Sequence, residues 1–451
     1  MSNLRFHQSL PGARPMSKKF FIQTWGCQMN DHDGEKLTGL MLRDGYEEVK
    51  SSKEADIVLL NTCSIREKAV HKVFSELGRL KKEKLQRPLT IGITGCLAQQ
   101  EQAHLFTRAP QIDFVLGTMA LDKLPEVLTQ AQINGEKSIN VGDYPDNHLF
   151  PTEIAKRKPT AKALVTIIEG CNHACTYCIV PRTRGVERSR PFQSILDEVK
   201  RLVDEGYREI ELLGQNVNSF QGGCNFTELL RKVSAVEGLE WLRFTTSHPM
   251  NFTKELAFEI VSNPKIAPFL HLPVQSGSNA VLKRMLREYT IEEYLERLAY
   301  LGSGRSQLCL STDFIVGFPG ESEQDFQKTL DLLDEVRFET SFSFIYSLRP
   351  GTSAVRLKDD LPAEVKQERL LRLQSRQAHW TLLDNQKMIG KIVNARIENP
   401  ILNDQGFWIA RTGSSKTVHL QGKAGRGPEM GQLITAQISG ASPHFLAAEL
   451  I

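Results

Sequence analysis

Apolar runs and polar turns alternate along this chain, and they predict its layout before any chemistry is considered. KKFFIQTWGCQMN reads as a buried strand running into a turn at Gly26. A helix is expected over residues 33–43. ADIVLLNTC and LTIGITGC then read as two further buried strands, followed by helical patterns over 65–82 and 97–106. FVLGT supplies a fourth short strand from Phe114, and 121–131 a closing helix. Such alternation predicts a parallel sheet with helices packed on it. Residues 134–160 are polar, contain Pro145, Pro151 and Pro159, and read as a connector, so the first domain is expected to span 17–148.

The alternation resumes over residues 161–385. Strands are expected at 162–169, 209–213, 241–245, 269–273, 309–316 and 342–346. Between them, helical patterns such as FQSILDEVKRLVDEG and EQDFQKTLDLLDEV repeat their apolar residues every three and four positions. Six such units predict a partial, open β/α barrel. Pro362 starts a long helical pattern that ends near Gly390, with Glu368 and Arg372 as an i,i+4 pair. From 386 to 451 the period changes: KIVNARIEN, GFWIAR, SKTVHLQG and GQLITAQISGAS are short alternating runs divided by glycines, which predicts a small antiparallel β-barrel. The fold class is thus α/β with a small β-barrel at its carboxyl end.

Composition adds limits. The chain has 451 residues, 40% hydrophobic and 24% charged, the usage of an ordinary globular protein. It contains no apolar run of membrane-spanning length, and MSNLRFHQSLPGARPM lacks the apolar segment of a secretory signal, so a cytoplasmic location with no membrane partner is expected. The net charge of +3 is too small to identify a nucleic-acid partner. In the last segment Lys391, Arg396, Arg411, Lys416, Lys423 and Arg426 stand against Glu398, Asp404, Glu429 and Glu449. A small β-barrel exposing Arg411 and Lys416 suits an RNA backbone, although a solvated charged face is equally compatible.

The cysteines carry the candidate chemistry. Cys171, Cys175 and Cys178 form a C-x3-C-x2-C array in GCNHACTYCIVPRTRG. Zinc prefers a closed set of four ligands, whereas three thiolates on a 4Fe-4S cluster leave one iron free for a substrate or cofactor. Cys27, Cys63 and Cys96 each end a predicted strand, and a parallel sheet brings strand ends to one edge, where ligands usually sit. The bland alternative is three small apolar residues buried separately. Gly26 and Gly95 precede two of them and allow close backbone approach. Cys309 falls inside an apolar strand and is expected in the core; Cys224 is expected to be a loop thiol. LLGQNVNS, TTSHP, LPVQSGS, VGFPGE and SLRPGT follow successive strands and are expected to ring one mouth with the cysteine loop.

The array, with Tyr177 just before its third cysteine, resembles that of the radical S-adenosylmethionine (SAM) superfamily. TWGCQMN, NTCSIREKA, TGCLAQ, GCNHACTYCIVPRTRGVERSRP, LLGQNVNSF, LPVQSGSN and DFIVGFPGE together resemble tRNA methylthiotransferases of the MiaB type. The resemblance implies that Cys171, Cys175 and Cys178 bind the cluster that cleaves SAM to a 5'-deoxyadenosyl radical, and that Cys27, Cys63 and Cys96 bind a second 4Fe-4S cluster serving sulfur transfer. It implies SAM contacts from Tyr177, Gln215, Ser247, Gln275, Arg287 and the 315–321 segment with Gly317, where Gln215 replaces a more usual Glu. The implied reaction replaces hydrogen by S-methyl at carbon 2 of N6-isopentenyladenosine in a tRNA anticodon stem-loop, fed by an unidentified electron donor, with the enzyme a monomer. Residues 386–451 resemble a TRAM domain, with ARTGSSKTVHL departing from its usual run. Methylthiolation of a ribosomal-protein aspartate or of threonylcarbamoyladenosine, and a non-catalytic zinc-stabilised RNA-binding protein, are the alternatives. No Ser/His/Asp or paired-carboxylate set competes as machinery, and no side chain is singled out as catalytic.

Overall fold

The structure, a computed structural model, describes residues 17–64, 67–142, 155–157, 160–403, 406–422 and 427–451. Pro145, Pro151, Pro159, Asp404, Lys423, Arg426 and the expected helix start at 65–66 lie outside the described residues. The described chain forms two compact units, one of residues 17–142 with 155–156 and one of residue 157 with 160–451.

In the first unit the elements run β1 (Lys19–Trp25), α1 (Gln28–Arg43), β2 (Glu47–Glu48), β3 (Ile57–Thr62), α2 (Glu67–Lys84), β4 (Thr90–Thr94), α3 (Cys96–Glu101), α4 (His104–Arg108), β5 (Phe114–Leu116), α5 (Leu124–Asn134) and β6 (Ser138–Asn140). The six-stranded sheet has the order β2-β1-β3-β4-β5-β6 and is parallel throughout. Every residue of β3 is buried, as suits a central parallel strand covered on both faces. The edge strands β2 and β6 went unread because two or three mostly polar residues carry no period. Helix α1 begins at Gln28 instead of 33. It buries His32, Asp33, Glu35 and Lys36 along with its apolar residues, so polarity does not mark its buried face. The 97–106 pattern is broken into α3 and α4 at Gln102, whose φ is +50°.

The second unit contains β7 (Ala163–Thr166), β8 (Ile168–Glu169), α6 (Val180–Arg184), β9 (Arg188–Ser189), α7 (Phe192–Asp204), β10 (Glu209–Leu213), α8 (Phe226–Ser234), β11 (Trp241–Phe244), α9 (Lys254–Ser262), β12 (Phe269–His271), α10 (Asn279–Met285), α11 (Ile291–Ala299), β13 (Cys309–Val316), α12 (Glu323–Val336), β14 (Thr340–Ile345) and α13 (Ala363–Gln386). Two parallel three-stranded sheets, β7-β10-β11 and β12-β13-β14, make one arc. They are joined where Leu242 accepts from the Ala267 N–H (2.9 Å) and donates to the Lys265 carbonyl (2.8 Å). This is the open six-unit β/α barrel. Val165, Ile210, Leu212, Leu242, Leu270, Leu310, Phe314 and Val316 build its main core with residues of the helices. The strand expected at 162–169 is divided: β8 leaves the arc and pairs antiparallel with β9, closing the neck of the cysteine loop.

The chain ends in β15 (Ile392–Asn399), β16 (Phe407–Thr412), β17 (Thr417–Gln421), β18 (Leu433–Ala441) and β19 (Leu446–Leu450), closed in the order β15-β16-β17-β19-β18. Its pairs are antiparallel except β17–β19, which is parallel. An odd ring cannot alternate strand direction all the way round, so the purely antiparallel expectation fails at one seam. Alternate residues, among them Ile397, Trp408, Val418 and Leu420, fill the interior.

This small barrel docks at the amino ends of the arc's strands. Buried Glu209 accepts from Arg243 (2.5 Å) and Arg396 (3.0 Å), and Arg396 also reaches Glu240 (2.5 Å). Arg243 donates to the carbonyls of Thr412 (2.9 Å) and Gly413 (2.7 Å), and both guanidiniums lie over Trp241. Arg411 and Lys416 are not the exposed cations expected from sequence. Arg411 is bound to Glu398 (2.6 Å) and the Ser415 carbonyl, and Lys416 to Asn385 (2.8 Å), because the 412–416 turn is part of the dock.

Candidate metal centre and active site

The cysteine loop sits at the carboxyl end of the arc, between β8 and β9. Gly170, with φ +80°, begins it, and a Cβ there would stand 2.1 Å from the Val186 carbonyl oxygen, so the neck closes only around glycine. The Gly170 N–H donates to Gln215 Oε1 (2.5 Å) and the Cys171 N–H to the Gly185 carbonyl (3.2 Å). Further on, the Thr176 N–H and Oγ1 donate to the carbonyls of Met285 and Arg284, and Ala354 donates back to the Thr176 carbonyl (2.8 Å). The loop is thus fastened to segments following β10, β12 and β14.

Arg287 is the buried cation of this site. Its Nη1 stands 3.4 Å from Cys175 Sγ and 3.5 Å from the Tyr177 hydroxyl, while Nε donates to Tyr289 (3.0 Å) and Nη2 to the Pro273 carbonyl (3.0 Å). Burial pushes the Cys178 thiol up to about 12 and also raises Cys171. Bare thiolates are therefore disfavoured here, and a bound iron would supply the positive charge that replaces the proton. Three buried or half-buried thiols beside one arginine fit a cluster with one open iron.

Around the mouth, Asn218 grips the His248 backbone with both amide atoms (2.9 Å each). His248 stacks on His173 of the cysteine loop, ring centroids 3.8 Å apart, and burial, reinforced by Arg287, holds it neutral. Ser247 Oγ, His248 Nε2 and Asn216 Oδ1 are buried with no partner among the described residues, as befits atoms kept for a ligand. Gln275 is held by its backbone between Asp313 and Ile315, with φ +74°. Gly317, with φ +69°, donates its N–H to Glu321 Oε1 (3.0 Å). Of the residues expected near SAM, Tyr177 and Arg287 come together with Cys175. The Gln215 amide oxygen is engaged by the loop itself. His173, His248 and Asn218 were missed, though His173 lies inside the array and the others inside NVNS and TTSHP.

In the first unit the other three cysteines meet one sheet edge. Trp25 pairs with Thr62, and Asn61 with Thr94, so Cys27, Cys63 and Cys96 follow the ends of three adjacent parallel strands. Cys27 caps α1 and Cys96 opens α3, where backbone N–H groups and the helix dipole favour negative charge. A Cβ on Gly26 would lie 2.7 Å from Cys63 Cβ; on Gly95 it would lie 2.5 Å from Asn61 Oδ1. Both glycines bring strand ends together. Asn61 donates to the Asn30 carbonyl (2.7 Å), Asn30 returns a bond to Asn61 (3.3 Å), and Cys27 Sγ lies 3.4 Å from Asn30 Oδ1. These asparagines were quoted in TWGCQMN and NTC without a role. Among the described residues no three His, Cys, Asp or Glu side chains converge as one ion requires; a cluster takes each thiolate on a separate iron. Cys309 is buried at the start of β13 and Cys224 is half-buried in a loop.

Three family matches divide the chain: Uncharacterized protein family UPF0004 at residues 19–117, Radical SAM superfamily at 165–333 and TRAM domain at 385–451. In fold it resembles the radical S-adenosylmethionine methyltransferase TsrM from Kitasatospora setae (TM-score 0.56, 15% identity, 75% of this chain and 74% of that one). It also resembles the cobalamin-dependent S-adenosylmethionine radical enzyme OxsB (TM-score 0.51, 15% identity, 80% of this chain and 56% of that one). The protein is a radical SAM enzyme, a class that implies SAM and a 4Fe-4S cluster. Relatives from Solibacter usitatus (42% identity; 96% of this chain, 98% of the relative) and Aeromonas hydrophila (43%; 90% and 87%) are both named tRNA-2-methylthio-N(6)-dimethylallyladenosine synthase. The chain belongs to that family of methylthiotransferases. Among the described residues no helix is long and apolar enough to cross a membrane.

Proposed function

We propose that this chain installs a methylthio group at carbon 2 of N6-dimethylallyladenosine, next to the anticodon of tRNA. The observation that carries this reading is the 42% identity to relatives of that name along nearly the whole of both chains. Residues 161–385 serve as the radical SAM domain, 17–148 as the domain of a second cluster, and 386–451 as an RNA-binding barrel. Cys171, Cys175 and Cys178 would hold the first 4Fe-4S cluster, and Cys27, Cys63 and Cys96 the second. When bound, these groups supply the electron for SAM cleavage, the radical chemistry and the sulfur.

The chain's own residues orient and exclude. Arg287 spans Cys175, Tyr177 and the Pro273 carbonyl, setting the electrostatics around the thiol. Gln215 holds the start of the loop, while Ser247, Gln275 and Gly317 complete the SAM surface. Ser247 Oγ has no hydrogen-bond partner among the described residues. Carbon 2 of adenine bears a strong C–H bond that no side-chain base deprotonates usefully, which suits a site with radical cofactors and no catalytic dyad. A base of a tRNA loop can be splayed out to reach such a mouth. On this reading the enzyme works in the cytoplasm as a monomer, with electrons from a separate donor. Anaerobically reconstituted protein should convert a dimethylallyl-bearing anticodon stem-loop to its 2-methylthio form; full iron and sulfide content with no such product would overturn the reading.

A further inference from the structure

Phe342 and Phe344 are 53% and 45% exposed although both stand in β14, the last strand of the arc. The strand register decides which face they occupy. Leu270, Leu310, Phe314 and Val316 belong to the face packed against helices; alternate positions put His271, Ser311, Asp313, Ile315, Phe342 and Phe344 on the opposite, inner face. There His271 stands edge-on to Phe342 with ring centroids 5.9 Å apart, is bonded to Ser311 (3.0 Å) and lies 3.5 Å from Asp313. Ile315, the register partner of Phe344, packs against the same apolar cluster as Tyr177 of the cysteine loop. The segment leaving β14 returns to that loop through the Ala354–Thr176 hydrogen bond. Two adjacent open aromatic rings, next to a small polar group and on the face that leads to the cluster loop, are the composition of a ligand seat.

We propose that Phe342, Phe344 and Ile315 seat the dimethylallyl group of the substrate adenosine, and that Asp313 rejects an anionic substituent in its place. The inference rests on the functional reading above, which supplies the adenosine. A branched five-carbon alkene offers only apolar surface, and covering the two rings removes apolar area from water on both partners. A threonylcarbamoyl group carries a carboxylate, which the Asp313 carboxylate on the same face repels.

Anisotropy titration of the reconstituted full-length protein with labelled anticodon stem-loops at fixed salt tests this seat. Wild type is expected to bind the dimethylallyl stem-loop at least about tenfold more tightly than either the unmodified or the threonylcarbamoyl one. Phe342→Ala and Phe344→Ala should each cut that preference about threefold or more, and the double variant should bring it near unity, with affinity for the unmodified loop moved less than about twofold. Phe344→Leu, which keeps apolar volume, should fall between, and iron and sulfide content on the same samples reports folding. A double variant that keeps the wild-type preference overturns the seat, as does a wild type that binds all three loops equally. A wild type with that preference that makes no methylthio product overturns the functional reading and leaves the seat standing.

Discussion

The two cysteine sets are built in opposite ways. Cys171, Cys175 and Cys178 lie within eight residues, on a loop fastened by Gln215 and beside a buried arginine. Cys27, Cys63 and Cys96 are spread over seventy residues and are assembled by the sheet, each following a different parallel strand, with two at helix N-termini. The first set is therefore a local construction whose thiols a neighbour tunes. The second exists only when the whole unit is folded, with helix N-termini at Cys27 and Cys96 and the Asn30 side chain at Cys27.

The widest separation is expected from removing one thiol of each set. Cys175→Ala should abolish SAM cleavage and lose about four of about eight irons, whereas Cys63→Ala should lose a similar share of iron, keep SAM cleavage and stop sulfur insertion. Iron analysis and 5'-deoxyadenosine assay check both, and loss of cleavage in Cys63→Ala would break the division of roles. Arg287→Lys keeps the charge but not the planar fork, so SAM cleavage should fall roughly 10- to 100-fold with iron retained. The cluster's EPR spectrum, moved by a changed thiol environment and unmoved by a merely structural role, is the accompanying measurement.

A third, metal-free polar site sharpens the contrast. Glu209→Ala strands Arg243 and Arg396 in the dock, at a cost of about 3–5 kcal/mol. Limited proteolysis should then release the C-terminal barrel while iron content stays at the wild-type level; a barrel that stays protected would show that Glu209 does not hold it. The smallest effects concern the sheet that assembles the dispersed thiols. Gly95, at φ 91° and ψ −166°, occupies a region almost closed to other residues, so Gly95→Ala should cost about 1–3 kcal/mol in urea unfolding and weaken iron retention by the strand-end set first. Gly78→Ala in α2, where a Cβ meets nothing within 4 Å, should instead add roughly 1 kcal/mol and leave iron unchanged.

Much of this arrangement was legible in advance. Largely apolar runs marked β3 and β4, as strands covered on both faces require, whereas β10 and β13 were found by short apolar stretches interrupted by Glu211 and by Ser311 to Asp313. Edges β2 and β6 escaped because they have almost no side-chain signature, and α1 began early because its buried face is partly polar. Arg411 and Lys416 looked like free cations because composition does not reveal that Glu398 and Asn385 lie opposite them.

What the sequence determined by itself was everything set by nearby spacing: the three-thiol loop, the strand–helix alternation, the glycines at tight turns and the change to short alternating runs after residue 386. Only the tertiary structure decided which side chains meet across long separations. It put Arg287 against Cys175, made Asn30 and Asn61 partners, turned Arg243 and Arg396 into a dock on Glu209, and left Phe342 and Phe344 open on the inner face. The reason is physical: backbone period and steric demand are local and are written residue by residue, whereas the partner of a buried charge or an open ring is chosen by the register of strands that the chain brings together only on folding.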